Sequence, residues 1–377
     1  NYRLFPSPNN HLMPFVMDLH RVGKISGENV QKGLLADLGV QEKYGVIYHQ
    51  YWYNEDAGTL FCLMEGPDAK SCAATHLESH GLTACQIVEV EGGMYDKFMG
   101  RGHKLDHGLV RRPDGEIDSG YRYIFTLNII AKTKLSDTVN IYQLKLPTIP
   151  IKTALILIEK HGGKEVESAG YDCIIAVFKD AINALDCAHE VQERFLKYRE
   201  IPDADDIIFN MGISIGQPLT GTDGFFTKAI KRSQRLCLIA GDNEIITSRL
   251  FEKSCNLEEN DKQRIGLRSL KPSQQDFLDN LLDIIENSIS NNTFGVGLLS
   301  REIGVSQPQL YRKVLEITGR SPVSFIRDIR MNKALSLIKE NKHNICQIAM
   351  EVGYNSPSYF SKCFQQKFGI KASKIAV

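Results

Sequence analysis

Long apolar runs are missing from this chain of 377 residues, and their absence removes a class of function at once. No stretch approaches the roughly eighteen consecutive apolar residues that a membrane-spanning helix requires, and no signal peptide is visible. Paired cysteines are missing as well. Nine cysteines stand singly at positions 62, 72, 85, 173, 187, 237, 255, 346 and 363, with no C-x-x-C pair. An odd, dispersed set reads as reduced thiols, so a cytoplasmic location is expected. Net charge is absent too, 45 Lys and Arg balancing 45 Asp and Glu. The zero conceals an asymmetry. Residues 12–92 hold 5 basic against 11 acidic side chains, and residues 273–377 hold 13 against 9. A modestly basic rear agrees with a nucleic-acid partner without requiring one. The remaining composition, 42% hydrophobic and 24% charged, is that of a globular protein long enough for two or three domains.

What is present is a duplication. Residues 298–319 read LLSREIGVSQPQLYRKVLEITG, and residues 347–369 read QIAMEVGYNSPSYFSKCFQQKFG. Each is a short apolar-periodic helix, a Glu-(Ile/Val)-Gly turn and a second helix beginning at a serine. Gly304 corresponds to Gly353, Ser306 to Ser356, Leu310 to Phe360 and Val314 to Phe364. A helix-turn-helix pair needs this chemistry: glycine for the sharp turn, serine to accept an orphan N–H at the helix start, and proline in the first turn, where a missing N–H costs nothing. Leu310, Val314 and Ile317 in one copy, and Phe360, Phe364 and Phe368 in the other, predict the buried stripes. Gln307, Gln309, Arg312 and Lys313 then face outward in the first, and Ser358, Tyr359, Lys362 and Gln365 in the second. Gln and Arg can read base edges, while Lys, Ser and Tyr mostly hold phosphates. Val323, Ile326, Ile329, Leu335 and Ile338 predict a connecting helix that sets the two readers about 34 Å apart, one turn of double-stranded DNA. The competing reading, a helical bundle with solvated polar faces, does not account for a tandem repeat of the device.

This stretch resembles the DNA-binding domain of the AraC/XylS family of bacterial transcription regulators. The carriers are the SxxxL helix from Ser306, RMNKAL (330–335) in the linker helix, and IAMEVGYNSPSYFSKCFQQKFG near the end. One departure is FGIKASKIAV, with Ala372 where the family has proline.

Residues 14–91 read strand, helix, strand, strand, helix, strand, the order of a ferredoxin-like βαββαβ fold. The sheet of such a fold has one open face, commonly covered by dimerisation, so a homodimer is expected. His20 ends the first strand, Glu65 ends the third, and His76 and His80 lie four apart on the second helix. Imidazoles with a carboxylate suit Ni, Zn or Cu. The pattern is not HExxH, since Leu77 stands where a zinc protease has its Glu. A packed or solvated histidine stripe is the bland alternative. The run DLHRV, VQEKYGV, QYW, NEDAG, FCLMEGP and THLESHGL is similar to a small ferredoxin-like family described as nickel-binding. That resemblance implies His20, His76 and His80 as ligands, with Glu65 beside them, for nickel or another divalent transition metal.

From Tyr121 to Cys255 strands and helices alternate again. HGGKEVESAGYD, MGISIGQPL and AIKRSQRLCLIAGDNEIITS resemble the class III nucleotidyl cyclase domain. That family holds two metal ions on two aspartates. Asn128 stands at the first, Asp172 is displaced by one residue from the second, and Lys231 replaces the Asn of an Asn-x-x-x-Arg pair whose Arg remains as Arg235. A catalytically inactive relay with a vestigial nucleotide pocket is expected, rather than an enzyme.

The expected organisation is multidomain α+β: a ferredoxin-like metal-sensing domain at 12–92, a linker at 93–120, a degenerate cyclase-like α/β domain at 121–255, a linker at 256–274 and an all-α tandem helix-turn-helix domain at 275–377. The expected function is an effector-responsive, sequence-specific DNA-binding regulator. The alternatives are a DNA-tethered nucleotidyl cyclase or nucleotide-sensing regulator, whose front domain serves only dimerisation, and a metal-storage protein, which four candidate ligands do not support.

Overall fold

A computed structural model describes residues 13–100, 104–106, 108–136, 141–145, 148–167, 173–201, 206–220, 224–256, 266–341 and 343–375. They divide into two compact units, residues 1–122 with 216–229, and residues 123–215 with 230–377. Among the described residues no helix is long and apolar enough to cross a membrane.

The first unit is built on β1 (Phe15–Arg21), α1 (Gly27–Tyr44), β2 (Ile47–Asn54), β3 (Thr59–Glu65), α2 (Ala69–Ser79) and β4 (Gln86–Val90). The strands pair in the order β4-β1-β3-β2, all antiparallel, which is the ferredoxin-like arrangement. Ser26 and Asp68 cap the two helices through the N–H groups of Asn29 and Ser71. Val30 and Leu34 of α1 and Cys72 of α2 pack with Val16, Tyr48, Tyr51, Cys62 and Met64 on one face of the sheet.

Residues 93–120 differ from the expected linker. They form α3 (Gly92–Phe98), β5 (Lys104–Asp106) and β6 (Leu109–Arg111), and β6 extends the sheet by pairing in parallel with β2. Two of their glycines mark close approaches: a Cβ at Gly108 would stand 2.9 Å from a Tyr51 ring carbon, and one at Gly120 would stand 3.0 Å from Trp52 Cβ and 3.2 Å from a Phe61 ring carbon. Tyr95 meets Trp52 edge-on at 6.2 Å, Phe98 stacks on Phe226 at 4.5 Å, and Met17, Trp52, Phe61, Phe98 and Met99 are all fully buried. The chain's own segments thus cover the sheet face that was expected to lie open for a second copy.

The second unit carries a seven-stranded sheet. Its strands β7 (Arg122–Ser136), β8 (Ile141–Lys145), β9 (Lys164–Glu167), β10 (Cys173–Phe178), β11 (Asp206–Gly216), β12 (Ile245–Ser248) and β13 (Leu267–Leu270) run β13-β12-β11-β7-β10-β9, with β8 beside β7. The helices of this α/β part are α4 (Thr148–Lys160), α5 (Ala181–Tyr198), α6 (Thr227–Ile239) and α7 (Arg249–Ser254). Six helices follow: α8 (Pro272–Ser288), α9 (Val296–Ile303), α10 (Gln307–Thr318), α11 (Pro322–Glu340), α12 (Ile345–Glu351) and α13 (Pro357–Phe368).

The expected linker at 256–274 is also partly structured. Leu267–Leu270 pairs in parallel with β12, and α8 starts at Pro272, only two residues later. Leu236 and Ile239 of α6, Ile246 of β12 and Leu270 of β13 therefore share one core with Leu278, Leu282, Leu310, Val314 and Phe325. The second helix-turn-helix closes a separate core of Met331, Ala334, Ile338, Ile348, Phe360, Phe364 and Phe368. The connecting helix α11 serves both, which is why its buried residues do not form the single stripe expected. Phe325, Ile326 and Ile329 face one core, Met331, Ala334 and Ile338 the other, and Val323 is 66% exposed.

Candidate metal centre and nucleic-acid interface

Strand period places the first element of the metal centre. Asp18 and His20 are two apart on β1 and share the face that meets the helices. Asp18 pairs in register with Cys62 of β3, so the thiol joins that face. On α2 the buried side chains Cys72, Thr75 and His76 recur at three and four residues, turning His76 inward, and His80 is the residue that ends the helix. Asp37 extends the Val30–Leu34 stripe of α1 by three residues.

The result is a polar knot within the first unit. His76 Nε2 lies 2.8 Å from Asp18 Oδ2, and His76 Nδ1 lies 3.2 Å from Asp37 Oδ1. His20 Nε2 is 3.0 Å from Asp18 Oδ2, and His80 Nε2 is 3.1 Å from Asp37 Oδ1. Potential ligand atoms of Asp18, His20, Cys62 and His76 all fall within 4.8 Å of one another, as do those of Asp37, His76 and His80. Asp18, His20, Asp37, Cys62 and His76 are at most 2% exposed. Tyr48 borders the knot through its hydroxyl, bonded to Thr75.

The two carboxylates of the knot favour an imidazolium at His76. Burial disfavours that form, yet hydrogen bonds to Asp18 and Asp37 outweigh burial and push His76 up to about 10. Burial likewise opposes ionisation of Asp37, but His76, His80 and Ser79 hold it down to about 2. Asp18 is also held below the usual carboxylate range, its burial overcome by His20 and His76. Burial and the neighbouring carboxylates push the Cys62 thiol well up. Asp18 Oδ1 and His20 Nδ1 are buried without a hydrogen-bond partner. Buried polar atoms are rarely left so. Imidazole, carboxylate and thiol form a donor set that suits a divalent transition metal, so the residues present fit such an ion.

Of the four ligands expected from sequence, three meet here and Glu65 does not. Glu65 is three residues from Cys62 on β3, an odd step that puts it on the opposite face, where it accepts a hydrogen bond from His49 Nε2 at 3.2 Å. Asp18, Asp37 and Cys62 were missed. The signals were an aspartate inside the apolar strand FVMDLH and another on an apolar helix stripe.

In the helical part both turn-following helices start as read. Ser306 and Ser356 accept from the N–H groups of Gln309 and Tyr359, with Pro308 and Pro357 in the first turns. Leu310, Val314, Phe360 and Phe364 are fully buried. Gln307, Arg312, Ser358, Tyr359, Lys362 and Gln365 are exposed. Gln309 and Lys313 are exposed as well, and each also makes a local contact. The Gln309 side chain closes a capping box by accepting from the Ser306 N–H at 3.2 Å, and Lys313 Nζ sits 4.9 Å from the centre of the Phe277 ring. Tyr311, 50% exposed on the same helix, was not among the expected readers.

Of the cyclase-like positions, Asn128, Lys231 and Arg235 lie among the described residues. Lys231 and Arg235 on α6 turn to the acidic side chains of α8. Lys231 Nζ is 2.7 Å from Asp283, Arg232 Nε is 3.1 Å from Asp279, and Arg235 donates to Asp279 at 3.1 Å and Glu286 at 3.3 Å. Arg235 is 5% exposed; burial opposes its charge, and Asp283, Glu286 and Asp279 outweigh it. Asn128 stands on β7 opposite Cys173, and Asp172 lies outside the described residues.

Comparisons with known proteins give two matches to family models: a helix-turn-helix domain over residues 299–376 and the nickel responsive protein SCO4226-like family over residues 16–90. The rear of the chain carries a helix-turn-helix domain. Its front domain is similar to the nickel responsive SCO4226-like family. Among curated relatives, histidine kinase P4 of Formosa agariphila is 38% identical over 120 residues, 32% of this chain and 8% of that protein. The DNA-binding dual transcriptional regulator Rns of Escherichia coli is 29% identical over 34% of this chain and 47% of its own length. The chain thus spans less than half of either. Among solved structures, SCO4226 from Streptomyces coelicolor is 35% identical over 20% of this chain and 94% of that one, with a TM-score of 0.20.

Proposed function

We propose that the chain is a cytoplasmic transcription regulator that binds double-stranded DNA through both helix-turn-helix units and answers to a divalent transition metal, nickel first, in its front domain. One observation carries the DNA half: in both copies the helix after the turn buries its apolar stripe and leaves a polar N-terminal face exposed. Arg312 and Gln307 are the base readers of the first face; Gln365 reads in the second, with Ser358, Tyr359 and Lys362 on phosphates. Gln309 and Lys313 support the first face from its edge.

The metal half is supported by the orphaned atoms of Asp18 and His20 beside the buried His76 ring. His20, His76, Asp18 and Cys62 would hold the cation, with Asp37 and His80 around them. A bound divalent ion supplies the positive charge that the two carboxylates otherwise draw from His76. These residues come from β1, β3, α1 and α2, so the cation's charge is shared across the front domain. The α/β part of the second unit is read as a catalytically inactive relay, since Asn128 offers an amide where a metal needs a carboxylate. The alternative, a nucleotide-sensing or cyclase role, requires Lys231 and Arg235 to leave their α8 partners.

Calorimetric titration of the metal-stripped full chain with nickel, zinc, cobalt and copper tests the metal half, with light scattering reading whether two copies pair. Stoichiometric binding that disappears in His76→Ala/His80→Ala, with cooperative melting retained, is expected. Binding that survives the double variant places the ion elsewhere, and no binding by the unaltered chain removes the effector role. For the DNA half, duplexes selected from a random pool should lose affinity by about 1–3 kcal/mol on Arg312→Ala. No change in affinity or sequence preference takes α10 out of the groove.

A further inference from the structure

The two helix-turn-helix units have separate cores, so something besides a shared helix must hold one reader at a fixed angle to the other. The contacts that do this converge on Arg330, near the middle of α11. Its Nη2 donates to the carbonyls of Asn291 and Phe294, at 2.8 and 3.3 Å, in the loop that enters the first unit. Its guanidinium carbon lies 5.8 Å from the centre of the Tyr354 ring, in the turn of the second unit. Next to Tyr354, Gly353 adopts φ +79°, and a Cβ there would stand 2.5 Å from the Ile289 carbonyl oxygen and 2.9 Å from Arg330 Nη2. Asn292 donates to Asn355 across the same seam. One planar cation therefore ties loop 289–294 to turn 353–355, and the glycine lets the two backbones close on it.

We propose that Arg330 is a positioning residue for DNA recognition: it touches no base, and it sets the angle and spacing between the two recognition helices. The inference rests on the DNA-binding reading above. Guanidinium is suited to the task because its fixed fork can serve two carbonyls while its face stacks on an aromatic ring. A lysine offers a point charge on a flexible stem and can do neither together. Two readers joined rigidly gain from each other through effective concentration, and that gain disappears when the geometry no longer matches the duplex.

The test uses the full chain and a duplex selected from a random pool, compared with each half of that duplex and with versions carrying one or two inserted base pairs between the halves. The unaltered protein should prefer the intact site and lose affinity on each insertion. In Arg330→Ala the intact site should weaken by about tenfold or more, the inserted sites should weaken less, and the half-sites should bind as before. Arg330→Lys should not rescue. Gly353→Ala, whose Cβ would press on both the Ile289 carbonyl and the Arg330 guanidinium, should relax spacing in the same way, and a retained cooperative melting transition checks each variant's fold. Equal losses on whole and half sites, or an unchanged spacing preference, would overturn the proposal while leaving DNA binding intact. If the unaltered chain binds no duplex, the DNA-binding reading falls and this inference with it.

Discussion

The two helix-turn-helix units repeat one sequence pattern and are unlike in support. The first lays its apolar stripe on a core shared with α6, β12 and β13, and it is fastened from outside by ion pairs. Arg235, Arg232 and Lys231 grip α8, and Arg268 of β13 donates to the carbonyl of Ile317, at the end of α10, at 2.7 Å. The second closes its own core with three phenylalanines at four-residue spacing, and none of the α/β sheet belongs to it. Aromatic side chains bury large areas each, which lets these two helices close a core with α11 that takes nothing from the α/β sheet. The difference teaches that a duplicated motif need not mean equivalent parts: one reader is built into the body of the second unit, and the other is carried at the end of α11.

That comparison breaks most sharply in the core. Phe364→Ala should cost about 3–5 kcal/mol and Leu310→Ala about 2–5 kcal/mol. The two losses should spread differently. Hydrogen exchange should show Phe364→Ala releasing α12 and α13 while β11 and β12 stay protected, and Leu310→Ala loosening α8, α10 and β12 together. If Leu310→Ala leaves β12 untouched, the shared core does not act as one cooperative body.

The next effect concerns the ion pairs. Arg235→Ala leaves three carboxylates facing one another on α8, two of them about half exposed, so a loss of about 1–3 kcal/mol is expected, less than for a fully buried pair. Thermal melting in low and high salt measures it. An equal loss in both would contradict an electrostatic fastening, since the solvent-exposed part is screened.

The smallest effect separates support from reading within one helix. Gln309→Ala removes one half of a capping box and should cost about 0.5–1 kcal/mol of stability with sequence preference unchanged. If Gln309→Ala instead alters which base is preferred at one position, its side chain leaves the cap to read DNA.

How much of this was legible depends on whether the information was local. The βαββαβ order, the capped second helices and the outward faces follow from strand alternation, helical period and turn chemistry within twenty or so residues, and they were read directly. His20, His76 and His80 were found as metal-binding residue types. Asp18 and Asp37 were passed over because a carboxylate in an apolar stretch has no local meaning until its partner is known. Cys62 needed the β1–β3 register, a long-range fact. Glu65 was misplaced for the same reason, since its face depends on counting from Cys62. The segment 93–120 looked like a linker because glycine and charge are frequent in it. Two of its large residues, Tyr95 and Phe98, meet partners distant in sequence, which periodicity cannot reveal. Lys231 and Arg235 were read against a cyclase pattern, and the α8 acids that engage them lie some fifty residues further along.

The central claim is that metal in the front domain governs DNA binding at the far end of the chain. The most direct measurement is the affinity of the metal-stripped full chain for a selected duplex, with and without saturating nickel, beside the same pair for His76→Ala/His80→Ala. A nickel-dependent change of about fivefold or more in either direction, absent in the double variant, is predicted. Identical affinities with and without nickel, in a protein shown to bind the ion, would contradict the account.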